Sequence, residues 1–493
     1  MMRIERTTLK CFVHQASGTE LAWLEGALTY SQGGQYGAKV CYLKSATAAG
    51  TGRYFGAGLI RTVLREARKE GLAVTVDDSR RKSFTPAPVA QSLLTKTPHY
   101  YQIAAAEAFI RNEAATVELP TGSGKTIVTA LLVEAFRGAR VLFLVSDRVL
   151  VESTAETIVK DTGLPVSRTL KAKGPPGEVV AMTLQSVYAQ LKKSPTPTRA
   201  TLKTFDVVIV DEAHQVPAQT FESVCSAVTA YWRFALSATP FSRADKKSAP
   251  LLALFGGLAY RKTEGELARE GFIPKAIIRM VVYEQAEFFL GKYPAAYTAQ
   301  IVQSQGRNDL IAQCVALALK PCLVLFTDIK HHHGPTLRLR VLSEGFTCEL
   351  VDSKTPIGRR REVIAALNAR RLDVAVASTV FNVGVDVPAL RSVVIVGGGK
   401  AVIRTVQRLG RGMRNSKGKK FFQVWDVLDW SKNFRKGRGT WMAKHAHERL
   451  KTYRKRGHAV FVGNAATGPW EKHPPIEPGS RAGRVQAMAS DSV

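Results

Sequence analysis

Residues 118–126 read ELPTGSGKT, a run whose residue types and spacing suit gripping a phosphate. Gly122 and Gly124 let backbone N–H groups turn towards phosphate oxygens with no Cβ in the way. A helix opening at this point adds its own donors and dipole. Lys125 is placed to reach the β- and γ-phosphates, and Thr126 to set its hydroxyl on Mg²⁺. The strict GxxxxGK[ST] form asks for glycine at 119, where this chain has Leu119. A glycine-rich helix-capping turn is therefore the competing reading.

A second group narrows the choice. VVIVDEAH ends an apolar run on Asp211 and Glu212, followed by Ala213 and His214. A carboxylate at a strand end, facing the loop after a neighbouring strand, is where a nucleotide-bound metal takes its second protein contact. Asp211 would hold the Mg²⁺ water shell, and Glu212 would polarise the attacking water as general base. An exposed acidic turn is the alternative, and it weakens once the loop is counted with it.

These groups need a scaffold. VLFLVS (141–146), VVAMT (179–183), DVVIVD (206–211) and RFALSA (233–238) are β-branched, nearly continuous apolar runs, as in strands buried on both faces of a parallel sheet. Helical stretches from Lys125 to Phe136 and Leu150 to Lys160 lie among them. The pattern then repeats in CLVLFT (322–327), FTCELVD (346–352), VAVAST (374–379) and SVVIVG (392–397), with a helix expected from Gly358 to Ala369. An α/β succession of this kind predicts open parallel sheets with ligands at the C-terminal strand ends.

The parse is a small α+β accessory domain at 1–95, α/β domains at 96–272 and 273–430, a basic segment at 431–460 and a disordered tail at 461–493. The join between the α/β domains is placed near GFIPKAIIR (271–279). Three consecutive histidines, His331 to His333, read as a polar loop, since adjacent loop residues rarely converge on one ion.

Composition sets the partner class. Lys and Arg number 70 against 40 Asp and Glu, a formal charge of +30, which points to a polyanion, nucleic acid before an anionic membrane surface. The densest stretch, 401–460, holds 17 Lys or Arg and includes Phe434, Trp441 and Tyr453, so a nucleic-acid-contacting surface is expected there. A hydrophobic share of 45% excludes a wholly disordered or fibrous chain. The six cysteines form no CxxC pair and read as reduced, mostly buried thiols. No signal-type segment or long apolar run is seen, so the expectation is a protein of the cytoplasm (a host cell's, if viral), neither secreted nor membrane-spanning.

With these motifs in order, residues 98–430 resemble the superfamily 2 helicases of the DEAD/DEAH type. PTGSGKT resembles motif I, DEAH (211–214) motif II, SAT (237–239) the coupling motif, VASTVFNVGVDVP (376–388) motif V and QRLGRGMR (407–414) motif VI. The resemblance implies two tandem RecA-like domains that bind ATP and Mg²⁺, with Thr121 to Thr126 and Asp211 on one wall of a cleft. Gln407, Arg411 and Arg414 fall at i, i+4 and i+7 on one helix face. By resemblance Arg411 and Arg414 are arginine fingers and Gln407 positions the attacking water; a phosphate-backbone contact is the alternative.

The family also carries a glutamine that reads adenine, matched by Gln102, with Tyr100 or Tyr101 able to stack nearby. Gly384 and Asp386 match positions of motif V that sense the nucleotide, although Val383 stands where many relatives are acidic. Nucleic-acid contacts would fall to Arg148, Thr183, Gln185, Thr327 and Thr379, each of which could instead be a helix cap or loop hydroxyl. DEAH with QRLGRGMR, and the accessory domain ahead of the motor, resemble the phage UvsW-type, XPB-like and restriction-translocase-like DNA enzymes. What this implies is an ATP-dependent helicase or translocase on duplex, forked or branched DNA, favoured as a monomer. An RNA helicase, or an annealing or architectural protein with a silent motor, are the rival readings.

Overall fold

Long apolar runs such as VVIVD can only be strands if both faces are covered, and helices cover them here. The computed structural model describes residues 1–31, 39–45, 52–90, 94–171, 174–211, 218–238, 240, 249–284, 293–328, 331–378, 387–397, 419, 421–430, 441–464 and 467–473. Two compact units emerge, one built on Met1–Leu119 and Gly124–Lys262, the other from Thr263 onward.

The first unit opens with β1 (Met2–Arg6), β2 (Lys10–Gln15), β3 (Thr29–Ser31), β4 (Lys39–Cys41), β5 (Lys44–Ser45), β6 (Arg53–Gly56) and β7 (Val74–Asp78). Five of them form a sheet in the order β5-β6-β2-β1-β7, and β3 pairs with β4. The Ile60–Lys69 helix buries Ile60, Val63 and Ala67, its i, i+3, i+7 stripe, against a core containing Ile4, Cys11 and Phe55.

The remaining strands of this unit are β8 (Ala114–Glu118), β9 (Val141–Val145), β10 (Val166–Ser167), β11 (Val179–Thr183), β12 (Val207–Asp211), β13 (Trp232–Ser237) and β14 (Leu258–Arg261). They form one parallel sheet, β10-β11-β9-β12-β13-β8-β14. Arg233, in the middle of it, is fully buried and donates to the carbonyls of Cys225, Val228 and Leu254, tying two helix ends to the sheet.

The small N-terminal sheet is not an appendage on a linker. A Cβ on Gly58 would lie 2.3 Å from Leu252 O, so backbone meets backbone where the module joins the Ala249–Phe255 helix. Arg80, just past β7, reaches Asp78 at 2.7 Å and Glu113 at 2.8 Å.

The second unit has β15 (Lys275–Glu284), β16 (Cys322–Leu325), β17 (Cys348–Val351), β18 (Val374–Ala377), β19 (Ser392–Ile395), β20 (Phe421–Trp430), β21 (Val460–Gly463) and β22 (Trp470–His473). Their order is β17-β18-β16-β19-β20-β15-β21-β22, parallel except for the last pair. The fold class is thus α/β, two RecA-like parallel-sheet domains in sequence with a small α+β module ahead of them.

Three boundaries differ from the sequence reading. The second unit begins at Thr263 rather than 273, because Thr263 caps the Glu264–Arg269 helix, Glu264 pairs with Arg456 at 2.7 Å, and Gly265 packs on Gly457. The stretch taken as the join is largely strand: β15 lies between β20 and β21. Residues 431–460 and 461–493 are not a separate segment and a disordered tail throughout. The Trp441–Lys455 helix drives Arg449 into the interior against Asp426, and β21 and β22 extend the sheet beside β15. Backbone pairing holds these strands, which is why sparse large apolar residues did not prevent it.

Five of the six cysteines are buried and Cys41 is exposed. Burial pushes the thiols of Cys11, Cys225, Cys314 and Cys348 up to about 12. Among the described residues no helix is long and apolar enough to cross a membrane.

Candidate functional site

The phosphate loop sits where the sheet delivers it. β8 ends at Glu118, and Leu119, wholly buried, donates its N–H to Ser237 O at 3.1 Å. Leucine at 119, where the strict GxxxxGK[ST] form has glycine, is therefore a core residue. Beyond Pro120 the chain turns sharply: Gly122 has φ 84 and Gly124 φ 78, both left-handed and cheap only for glycine. Ser123 closes the turn, its Oγ donating to Pro120 O at 2.7 Å. The Lys125–Ala135 helix starts directly after Gly124, with Lys125 buried and Thr126 and Thr121 half-buried. The cradle of N–H groups at a helix start and the lysine behind it fit a nucleotide's phosphates.

Asp211 is the last residue of β12 and is 8% exposed. Its strand does not adjoin the strand that leads into the loop. β13 stands between β12 and β8, with Asp211 level with Leu236 and Ser237 level with Glu118. Two strand spacings put the carboxylate's strand about 10 Å from that of the loop. A buried carboxylate at that remove, on the same sheet edge as Thr126, suits a hydrated Mg²⁺ between them.

Gln102 is also at this place. Its Oε1 accepts the His99 N–H at 2.8 Å in a capping box, and its Nε2 faces Gly124. The two candidate stacking tyrosines separate: Tyr101 is in the core, while Tyr100 is 50% exposed with Lys262 Nζ 5.4 Å from its ring centre. Tyr100 alone is available to a ligand.

On the nucleic-acid side, Arg148 and Gln185 are both exposed and follow β9 and β11, neighbours whose ends match at Val145 and Thr183. Thr183 itself is a helix cap, its Oγ1 accepting the Ser186 N–H at 3.1 Å. In the second unit Thr327 is exposed just past β16 and its hydroxyl meets that of Tyr297. Glu212, Thr379, Gly384, Asp386, Gln407, Arg411 and Arg414 lie outside the described residues.

Several polar groups escaped the sequence reading. Arg307 and Asp429, both wholly buried, meet at 2.9 Å, and Arg307 also donates to Val396 O at 2.7 Å. Arg449 and Asp426, 23 residues apart, pair at 2.8 Å, with Tyr453 donating to the same carboxylate. Two aspartates inside the apolar run FFQVWDVLDW were the available signal, because a buried carboxylate demands a partner. His333 is buried and bonded to Asn308 at 3.1 Å, whereas His331 pairs with Asp328. A concavity on the N-terminal sheet is lined by Arg3, Glu5, His14, Gln15, Asp77, Asp78 and Ser79. Its charges largely pair among themselves, Arg3 with Asp77 and His14 with Glu5, so it is no cationic groove for DNA.

Residues 95–242 match the family model described as type III restriction enzyme, res subunit, and residues 307–416 match the helicase conserved C-terminal domain. A protein of Sulfolobus islandicus filamentous virus bearing a helicase name is 28% identical over 338 residues, covering 63% of this chain and 60% of its own length. The DNA 3'-5' translocase XPB2 of Sulfurisphaera tokodaii is 24% identical, covering 64% of this chain and 78% of its own. The ATP-dependent DNA helicase uvsW of Enterobacteria phage T4 is 25% identical, covering 67% and 68%. Among solved structures, a fragment assigned to an HsdR subunit of a type I restriction enzyme from Vibrio vulnificus YJ016 superposes with TM-score 0.54 at 16% identity, covering 87% of this chain and 79% of that one. The type ISP restriction-modification enzyme LlaBIII gives 0.53 at 16%, covering 82% and 34%. With a phosphate loop and a strand-end aspartate on one RecA-like sheet, a second such sheet following, and the two family models matched in order, the chain belongs to the superfamily 2 helicases, close to the UvsW, XPB and restriction-translocase groups, a family of ATP-dependent enzymes.

Proposed function

We propose that this protein is an ATP-driven motor on DNA, separating or translocating along duplex, forked or branched substrates. The observation that carries the reading is the loop at 120–124 closing on a buried Lys125, with Asp211 on the same edge of the sheet. Lys125 would hold the β- and γ-phosphates, and backbone N–H groups at Thr121 to Thr126 would cradle them. Mg²⁺, held by Thr126 and Asp211, would neutralise charge on the phosphates. By resemblance Glu212 would take the proton of the attacking water, Gln407 would orient that water, and Arg411 and Arg414 would stabilise the charge that develops on the transferred phosphoryl group. Gly384 and Asp386 would sense the nucleotide, and Gln102 would contact the base with Tyr100 beside it.

Strand contacts would come from Arg148, Gln185, Thr327 and Thr379. Such contacts go to the backbone and carry no sequence information, which suits an enzyme that must slide. Thr183 would act by capping the helix that presents Gln185. A net charge of +30 supports a polyanionic partner, and relatives named as DNA helicases and translocases support DNA over RNA.

The test is ATP turnover measured alone and with single-stranded, duplex, forked and four-way DNA, with RNA of equal length as comparison. DNA-stimulated turnover that Lys125→Ala abolishes while DNA binding persists supports the proposal. Stimulation by RNA alone makes the protein an RNA motor, and turnover intact in Lys125→Ala removes the site.

A further inference from the structure

The Trp441–Lys455 helix has two faces with different work to do. Met442, Ala443, His445, Ala446, Arg449 and Tyr453 are buried, and they fix the helix to the sheet of the second unit. The opposite face carries Trp441, Lys444, Glu448, Lys451 and Lys455, all exposed and spaced by three or four residues. Three ammonium groups and one carboxylate make this stripe cationic along its roughly 20 Å length.

Trp441 heads the stripe, and its exposure is unusual for this chain. It is 50% exposed, whereas the other five tryptophans are buried or half-buried. The indole does not wave freely. Tyr293 meets it nearly edge-on at 6.1 Å, and His445 lies 5.4 Å from the same tyrosine and 6.4 Å from the indole. An aromatic surface held by other rings and left open to water is pre-organised for a flat partner.

The cluster continues into one of the strand-contact positions. Tyr293 packs on Tyr297 at 6.1 Å, and the Tyr297 hydroxyl bonds that of Thr327 at the end of β16. Gly397, just past β19, closes the same corner, since a Cβ there would lie 3.2 Å from both the Thr327 and the Tyr297 oxygen. An exposed ring, an exposed hydroxyl and a line of lysines are thus contiguous on one unit. Stacking platforms beside phosphate-holding groups are how proteins take single strands without regard to sequence.

We propose that Trp441 stacks on a base of the bound single strand, and that Lys444, Lys451 and Lys455 follow the adjoining phosphates. The inference rests on the nucleic-acid reading above and names a contact that the helicase motifs do not contain. Of the three aromatic residues expected at this surface, it retains Trp441 and drops Tyr453, which is buried against Asp426, while Phe434 lies outside the described residues.

The experiment compares the full chain and its variants by fluorescence anisotropy on labelled oligodeoxythymidine and on an abasic oligodeoxynucleotide of equal length. Trp441→Ala should weaken binding to oligodeoxythymidine roughly 5- to 100-fold and leave the abasic strand unaffected. Trp441→Phe should restore most of the preference for bases, which a purely structural loss would not. Replacing Lys444, Lys451 and Lys455 together by alanine should weaken both ligands and reduce the salt slope by about 2. Equal losses on the two ligands in Trp441→Ala, or none, overturn the stacking role while leaving the motor proposal in place. Failure of the unaltered protein to bind either ligand overturns both.

Discussion

Gln102 and Gly124 are so close that a Cβ on the glycine would lie 2.4 Å from the glutamine Nε2. The phosphate loop is therefore shaped from two sides, by the left-handed backbone at Gly124 and by an amide anchored through His99. Gly124→Ala should cost about 1–2 kcal/mol from backbone conformation alone. Nucleotide affinity should fall at least about tenfold as the N–H cradle is displaced. Adding Gln102→Ala removes the collision but not the conformational strain, so thermal stability should recover only in part. Full recovery in the double variant would show that the left-handed backbone is not needed.

Gly58 supplies the corresponding close approach between the N-terminal module and the Ala249–Phe255 helix. Gly58→Val should loosen that seam, because the Leu252 carbonyl of that helix and the Gly256 peptide nitrogen just after it cannot yield to a side chain. The readout is proteolysis, with new cleavage in the Arg80–Phe84 stretch and lower thermal stability of the first unit. An unchanged digestion pattern would mean that the Arg80, Asp78 and Glu113 contacts suffice to hold the module.

Arg449 and Asp426 predict a stability asymmetry. Burial opposes the charge on Arg449, and the Asp426 carboxylate more than restores it, holding the guanidinium above its ordinary value. Arg449→Met leaves a buried carboxylate without its cation, a loss of about 3–5 kcal/mol in urea unfolding of the second unit. The double change with Asp426→Leu should cost much less. A double variant as unstable as the single one would show that Arg449 acts by packing rather than by charge.

His333 gives the fold a pH dependence. Burial, with the nearby Arg307 charge adding to it, lowers its imidazole from 6.5 to about 4. The unfolded chain binds the proton more readily, so this stability is complete above about pH 6.5 and is lost as the pH falls towards 4. The loss should reach at most about 3 kcal/mol. Denaturation at pH 7 and pH 4.5 should show a smaller difference in His333→Gln than in the unaltered protein. An equal difference would assign the effect to other groups.

Much was legible in the residues because the relevant physics is local. Continuous β-branched runs marked β9, β11, β12 and β13 to within a residue or so, since a strand covered on both faces has no polar side to disguise it. The loop before Lys125 was legible for the same kind of reason, as left-handed turns select glycine wherever they occur. The strand-end position of Asp211 followed from its place at the end of such a run.

Non-local pairing decided the rest. The run AVFVG (459–463) is too short to mark a strand by itself, yet the backbone edge of β15 takes up β21, β21 takes up β22, and Trp470 seats against Trp425. Which of Tyr100 and Tyr101 faces solvent, and which cations neutralise Asp426 and Asp429, depended on elements 20 to more than 100 residues away. A side chain's type states what it can bind; only the packed chain decides whether water, a buried partner or a ligand is there to be bound.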